Sequence, residues 1–255
     1  MIYITGDTHS DFRRFQKSIF PEQKEMTKDD YCIIAGDFGG VWYGVNDKAH
    51  RKTEDYNLDE LNDRSFTTLF VPGNHENYAR LMSDEFPVKE WNGGMVKEIR
   101  SSIYMLMRGE IYEIDGAKFF AFGGASSHDI SDGILDGADP DWQTKAKQLN
   151  RQGKYMYRVK GISWWEEELP TEEEMRHGLD ALNQNDWKTD FVITHCAPSS
   201  TQALLGFHDN NVLTKYLEEI RQKLTYKRWF FGHYHDNRQV NAQDILLYEQ
   251  LVRVW

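Results

Sequence analysis

Residues with metal-binding side chains follow five short apolar runs of this sequence, at the points where the runs end. They are Asp7, His9, Asp37, Asn74, His195, His233 and His235. Imidazole and carboxylate ligands together favour first-row transition metals over calcium or magnesium. Side chains two positions apart, such as Asp7 and His9, share one face of an extended chain, so a pair can point toward the same ion.

The number of these residues indicates more than one ion. Two aspartates, one asparagine and four histidines exceed what one ion takes, and they suit two ions that share a carboxylate. Two ions about 3.5–4 Å apart form the common clamp for in-line displacement at phosphorus. Taken singly, each aspartate is more simply explained as a helix cap or turn residue than as a metal ligand. Each histidine, taken singly, is more simply explained as a surface or core residue whose hydrogen bonds are satisfied. Their joint occurrence at five run ends favours a metal centre.

The five apolar runs are predicted to be buried strands, because each is short, continuous and bounded by turn residues. They cover residues 1–5, 31–35, 67–71, 191–194 and 228–231. Ligands of open α/β sheets bind at the carboxyl ends of strands, so we expect these ends to meet. Glycine precedes Asp7, Asp37 and His233, and the missing Cβ lets the backbone approach the site closely.

Helices are predicted in five places between these strands. They lie through Phe12, Phe15 and Ile19, within 41–66, over 78–82, after a capping box that begins at Thr171, and over 212–224. The alternation of strands with helices predicts a layered α/β sandwich with one mixed sheet or two.

Two stretches depart from this alternation. There are four β-like runs between 96 and 122, and turns that contain glycine separate the last three, which predicts an antiparallel meander. The polar stretch 123–165 is long for a structureless loop, so we predict a lid or a partly helical segment. Substrate specificity is expected in the loops of 38–66, 123–165 and 197–211.

The composition excludes several classes of protein. The chain has 255 residues, of which 40% are hydrophobic and 14% aromatic, and we predict a single domain over 1–255. A net charge of −11 disfavours a broad nucleic-acid interface. Cys32 and Cys196 are predicted to be buried thiols. No apolar run reaches membrane-spanning length and no basic leader opens the sequence, so we expect a cytoplasmic protein without membrane association.

The motifs Asp7-Thr8-His9, Gly36-Asp37, Gly73-Asn74-His75-Glu76, His195 and Gly232-His233-Tyr234-His235 resemble those of the calcineurin-like metallophosphoesterase superfamily, in the family's order. The chain is most similar to its compact prokaryotic or phage-type members. The resemblance implies a four-layer α/β/β/α sandwich with two mixed sheets and a two-metal centre at the strand ends.

The resemblance also implies a role for each motif residue. The first metal would take Asp7, His9, Asp37 and His235. The second would take Asp37, Asn74, His195 and His233, so that Asp37 bridges the two ions. His75 would bind no metal and would face the substrate.

Two departures separate the chain from the protein phosphatase branch of this superfamily. Gly39, Gly40 and Val41 stand where that branch carries an Asp-Arg pair, and Pro72 replaces an arginine before Gly73. The acid and the phosphate-gripping arginine of that branch are therefore missing, and the residue that orients His75 must come from elsewhere.

The expected activity is hydrolysis of a small phosphomonoester or phosphodiester by a metal-bridging hydroxide. Asn74 would add a hydrogen bond, and His75 would protonate the leaving oxygen as general acid. Manganese is the favoured metal, with iron, nickel, cobalt or zinc as alternatives. The competing functions are a nuclease of the same superfamily, disfavoured by the acidity of the chain, and a binding scaffold that has lost catalysis.

Several polar residues admit two interpretations. Glu76 would either orient His75 or sit at a helix start, where the helix dipole favours a carboxylate. For His128-Asp129 and His208-Asp209 we favour solvated turn pairs over substrate contacts, and for 166–168 a solvated acidic face. For Trp164-Trp165 packing is favoured over the lining of a pocket, and a phosphate contact is disfavoured for Arg80.

Overall fold

The computed structural model describes residues 1–254, and position 255 of the predicted domain lies outside the described residues. The strands are β1 Ile2–Thr5, β2 Tyr31–Ile34, β3 Thr67–Phe70, β4 Val88–Trp91, β5 Gly94–Arg100, β6 Ile103–Leu106, β7 Glu110–Ile114, β8 Ala117–Phe122, β9 Gly133–Asp136, β10 Tyr157–Lys160, β11 Phe191–Thr194, β12 Arg228–Phe231, β13 Arg238–Gln239, β14 Asp244–Leu246 and β15 Val252–Arg253. The helices are α1 Lys48–Asn62, α2 Tyr78–Leu81, α3 Trp142–Arg151, α4 Glu172–Gln184, α5 Ser199–Leu205 and α6 Val212–Lys223.

Most strands form two large sheets, and both sheets are mixed. The first has the order β15-β1-β2-β3-β6-β5-β4, in which β1, β2, β3 and β6 are parallel and the others antiparallel to their neighbours. The second has the order β13-β14-β12-β11-β8-β7, with an antiparallel strand at each edge. The prediction of two mixed sheets is confirmed.

Three apolar clusters define the layers of the sandwich. The middle cluster joins inward residues of both sheets, such as Ile33 and Leu69 of the first with Phe119 and Ile193 of the second. Outer faces of the sheets are covered separately: α1 packs on the first sheet, and α4 and α6 on the second. Alternate residues of each central strand thus face opposite layers, and the order of layers is α/β/β/α, as predicted.

The predicted meander over 96–122 is wrong, because its two hairpins belong to different sheets. β5 and β6 pair in the first sheet, whereas β7 and β8 pair in the second. The chain crosses between the sheets near Gly109, whose φ of 84° favours glycine. Both hairpins have an apolar face, and packing those faces against each other buries more surface than a single continuous sheet would.

The predicted helix through Ile19 is also wrong. Two short 3-10 turns, Phe12–Phe15 and Pro21–Lys24, form after β1 instead, and Ile19 between them is 59% exposed. Arg14 is held by the carbonyl oxygens of Asp7 at 2.6 Å and Tyr248 at 2.5 Å. These tertiary hydrogen bonds fix the segment against β1 and override its helical pattern.

The stretch 123–165 contains β9, α3 and β10, in agreement with the prediction of a partly helical segment. β9 and β10 form a separate two-stranded parallel sheet. Cys32 and Cys196 are buried, unpaired thiols, as predicted. Within residues 1–254, no helix is long and apolar enough to cross a membrane. The single domain remains a prediction.

Candidate metal centre

The residues that follow β1, β2, β3, β11 and β12 lie together where the two sheets meet. A first group consists of Asp7, His9, Asp37 and His235, whose ligand atoms all lie within 4.8 Å of one another. The Nε2 atoms of His9 and His235 are 3.2 Å apart, and His235 Nε2 is 3.1 Å from Asp7 Oδ2. Two imidazoles and two carboxylates thus converge on one point, as the ligands of one ion do.

A second group shares Asp37 with the first. His195 Nε2 lies 3.3 Å from Asp37 Oδ1 and 3.2 Å from the side-chain oxygen of Asn74. The other ring nitrogen of His195, Nδ1, donates to the carbonyl oxygen of Ala35 at 2.9 Å. That hydrogen bond fixes the orientation of the ring, so that Nε2, which faces Asp37 and Asn74, is the nitrogen that a metal would bind.

The ring of His233 lies beside this second group, with its centroid 4.9 Å from that of His195. Its Nε2 atom lies 2.6 Å from Nε2 of His128, which in turn is 3.2 Å from Asp209 Oδ2. His233 therefore has one ring nitrogen engaged by His128 and only Nδ1 left for a metal. The interpretation of His128 and Asp209 as solvated turn residues is wrong, because the fold brings both against a predicted ligand.

Glycines next to the ligands are required by close packing. A Cβ at Gly36 would lie 2.0 Å from His195 Nδ1, and one at Gly232 would lie 2.1 Å from Asp7 Oδ1. Neighbouring ligand residues also adopt left-handed backbone conformations, with φ of 45° at Asp37 and 72° at His233. Non-glycine residues in this region are strained, and such strain concentrates at functional sites.

The charges of the site fit bound cations. Asp7 and Asp37 are buried, and within residues 1–254 their side chains form ion pairs with histidines but with no lysine or arginine. Burial would raise the pKa of Asp37, but His195 and other nearby histidines lower it well below its usual range. Burial would lower the pKa of His195, but Asp37 and Asp7 raise it to about 9. Buried carboxylates need a counter-charge, and metal ions supply it.

The comparison with protein families agrees with this geometry. The sequence model of a family described as calcineurin-like phosphoesterase matches residues 1–237 of the 255. The chain belongs to this family. The family implies metal-dependent hydrolysis of a phosphoester with two divalent ions, and the two ligand groups of this phosphoesterase suit that requirement. A search of curated proteins finds no significant match.

His75 is held by an arginine that the sequence analysis did not single out. Arg158, on β10, is 5% exposed and places Nη2 at 2.8 Å from His75 Nε2. Its Nε donates to Asp129 at 2.6 Å, and Nη1 donates to the carbonyl oxygen of Ser163 at 3.1 Å. Burial lowers the pKa of His75 to about 4; Arg158 adds to that shift, whereas Asp37 opposes it. His75 is therefore neutral here, and its Nε2 accepts from Arg158.

Glu76 fills neither of the two roles considered for it. Its buried carboxylate accepts from the backbone N–H groups of Phe38 at 2.7 Å and Gly39 at 3.2 Å. It thus anchors the loop directly after Asp37. Burial and the charge of Asp37 raise the pKa of Glu76 to about 8.

Three more sequence interpretations are resolved in the phosphoesterase. Arg80 is buried and paired with Glu54 and Glu85, so it is not available to a phosphate. Glu168 is 2% exposed and accepts from Ser127 Oγ at 2.7 Å, so the predicted solvated face is wrong at this residue, whereas Glu166 and Glu167 are exposed as predicted. Trp165 is buried, as its predicted packing role requires. A long-range contact decides the position of Glu168, since Ser127 lies 41 residues away in the sequence.

Proposed function

We propose that this phosphoesterase hydrolyses a small phosphomonoester or phosphodiester with two divalent ions. Asp7, His9, Asp37 and His235 hold one ion, and Asp37, Asn74, His195 and Nδ1 of His233 hold the other. The observation that carries the proposal is the sharing of Asp37, whose two oxygens face different ligand groups: Oδ2 lies 3.8 Å from His9 Nε2 and Oδ1 lies 3.3 Å from His195 Nε2.

When bound, the two ions supply activation of a water molecule and neutralisation of charge on the phosphoryl oxygens. The protein's own groups hold the substrate beside them. His75 has its backbone N–H bonded to Asp37 Oδ1 at 2.7 Å, so the imidazole is held at a fixed distance from the metal ligands. It protonates the leaving oxygen, and the negative charge of the substrate raises its pKa toward the range that this role requires.

Arg158 takes the place of the arginine that the protein phosphatase branch has and this chain lacks. It orients His75 in the free protein, and its guanidinium turns to the phosphoryl oxygens once substrate enters. A planar guanidinium suits this task because it donates two parallel hydrogen bonds to a phosphate. Asp129 and the carbonyl oxygen of Ser163 hold the arginine at the site throughout.

Manganese is the proposed metal, because mixed imidazole and carboxylate ligation suits first-row transition ions. Two buried, unpaired cysteines support a reducing compartment such as the cytoplasm. The acidity of the chain, with a net charge of −11, favours a small substrate over a nucleic acid.

The test is hydrolysis of a chromogenic phosphodiester and a chromogenic phosphomonoester by the manganese-loaded protein and its His75→Ala variant. We expect the variant to retain both ions and to lose about 10²–10⁴-fold in turnover, the typical effect of a general acid. A His75→Ala protein that binds both ions and matches the parent rate would remove His75 from this role.

A further inference from the structure

A cavity of about 270 Å³ opens directly from the proposed reaction site. Its lining includes His9, a predicted metal ligand, and His75, the proposed acid, together with Trp42, Tyr43, Thr53 and Asn57. The group that leaves from phosphorus is attached to the oxygen that His75 protonates. The cavity therefore lies on the side of the leaving group, and the residues that line it indicate the chemical class of that group.

The aromatic wall of the cavity is rigid. Glu54 accepts from the backbone N–H groups of Trp42 at 2.7 Å and Tyr43 at 3.0 Å, and Asn77 donates to the carbonyl oxygen of Trp42 at 2.7 Å. Glu54 is itself buried and paired with Arg80. A buried ion pair thus fixes the backbone that carries both rings, so the partly exposed indole of Trp42 is a preorganised stacking surface.

The cavity carries no free charge beyond the metal ligand His9. Glu54, its one carboxylate, is neutralised by Arg80. On α1, the side chains of Asn57 and Thr53 face the cavity, and neither has a hydrogen-bond partner among residues 1–254. A second phosphate would meet no cation here, whereas a neutral planar ring with donors and acceptors on its edge would pair with both side chains.

We propose that the leaving group is a nucleoside, whose base stacks on Trp42 and pairs its edge with Asn57 and Thr53. A plain phenyl ring shares the stacking, but it offers no hydrogen bond to the Asn57 carboxamide, so we expect it to bind more weakly than a base. The volume of about 270 Å³ lies just below the ~300–1,000 Å³ of pockets for drug-sized ligands, so the cavity has room for one base. This inference rests on the proposed function and names its substrate class.

Binding tests the inference independently of turnover. Calorimetry on the manganese-loaded protein compares a nucleoside phosphonate, whose P–C bond resists hydrolysis, with phenylphosphonate and methylphosphonate. Stacking of one base is worth ~1–3 kcal/mol, so we expect the nucleoside to lower the Kd ~5- to 150-fold relative to methylphosphonate. Equal Kd values for these two ligands would overturn the proposal.

Substitutions distinguish the contribution of stacking on Trp42 from that of hydrogen bonds between the edge of the base and Asn57. Trp42→Leu is expected to remove most of the gain in affinity, and Trp42→Phe to keep most of it, while Tyr56→Ala, which removes an exposed ring on α1, leaves it unchanged. Asn57→Leu is expected to weaken the nucleoside phosphonate but not phenylphosphonate. Equal loss for both ligands, or for neither, would exclude base recognition by Asn57 and overturn the assignment.

Measurements of turnover distinguish a failure of this inference from a failure of the proposed function. A nucleoside 5′-phosphate and glycerol phosphate have alkoxide leaving groups of similar basicity, so the ratio of their kcat/KM values reports recognition of the base. We expect that ratio to fall ~5- to 150-fold in Trp42→Leu. Absence of hydrolysis of every ester would reject the proposed function, whereas hydrolysis with a ratio that Trp42→Leu leaves unchanged would reject only the nucleoside.

Discussion

Replacing Gly36 by alanine perturbs the metal centre without removing any ligand. Gly36 has a φ of 94°, and a Cβ added there would lie 2.0 Å from Nδ1 and 2.5 Å from Cβ of His195. Ordinary contact begins near 3.4 Å, so the imidazole must retreat by more than 1 Å. His195 is fully buried, and it can move only by leaving its hydrogen bond to Ala35 and its approach to Asn74 and Asp37.

The cost has two parts. A non-glycine residue in the left-handed region costs about 1–2 kcal/mol, and the lost hydrogen bond to Ala35 costs about 0.5–1.5 kcal/mol. We therefore expect Gly36→Ala to lower the free energy of unfolding by about 1.5–3.5 kcal/mol. The displaced imidazole also no longer supports the second ion, whose affinity is expected to fall by at least ~10–100-fold, the effect of losing an outer-shell partner alone.

Two glycines provide matched controls. Gly116 has a φ of 77° but no atom within 4 Å of an added Cβ, so Gly116→Ala introduces backbone strain without a clash. Gly44 has neither strain nor a neighbour. Urea unfolding should place Gly116→Ala between Gly44→Ala and Gly36→Ala, and calorimetric titration with Mn²⁺ should find two ions in both controls. If Gly36→Ala bound two ions with parental affinity, the placement of His195 as a ligand would be refuted.

Three further substitutions address the surrounding residues. Arg158→Gln is expected to lower kcat/KM about 10²-fold, as loss of one transition-state donor does, with unchanged metal content and partial recovery in Arg158→Lys; equal rates would contradict its role. His128→Ala is expected to weaken one of the two ions about 10–100-fold in metal titrations, and unchanged affinity would show that its contact with His233 is incidental. Burial raises the pKa of Glu168 to about 7, so stability from the protonated carboxyl is fully present below about pH 4.5 and is lost as pH rises toward 7. The free energy of unfolding of Glu168→Gln, measured in urea relative to that of the parent, should therefore rise by about 3 kcal/mol from pH 4.5 to pH 8. A difference between the two proteins that does not change with pH would exclude this effect.

The central strands and the residues that follow them were predictable because each signal is local. An apolar run of four or five residues is followed by glycine and a polar ligand. The run that contains Ile33 and Ile34, for example, is followed by Gly36 and Asp37, and the same pattern recurs at other strands. The capping box at Thr171 is equally local: its hydroxyl accepts from the backbone N–H of Glu174, and Glu174 bonds back to Thr171.

Residues that depend on long-range packing were not predictable in this way. Arg158 stands in a short polar strand with no motif, and it reaches His75, 83 positions away, only because β10 folds over the site. Likewise, His128 and Asp209 come from separate loops and meet at His233. The hairpins β5–β6 and β7–β8 would have the same local sequence pattern in one sheet or in two. Only the packing between their apolar faces determines that they belong to two sheets.

The most direct test of the two-metal account is metal analysis of the purified protein, combined with hydrolysis of the chromogenic esters. We predict two ions per chain in the parent with added Mn²⁺, and hydrolysis of at least one ester. Asp37→Asn should lose affinity for both ions, because its oxygens face both ligand groups, whereas His235→Gln should lose affinity for one. Less than one bound ion in the parent, with no turnover in the presence of Mn²⁺, would contradict the account and would indicate a binding scaffold.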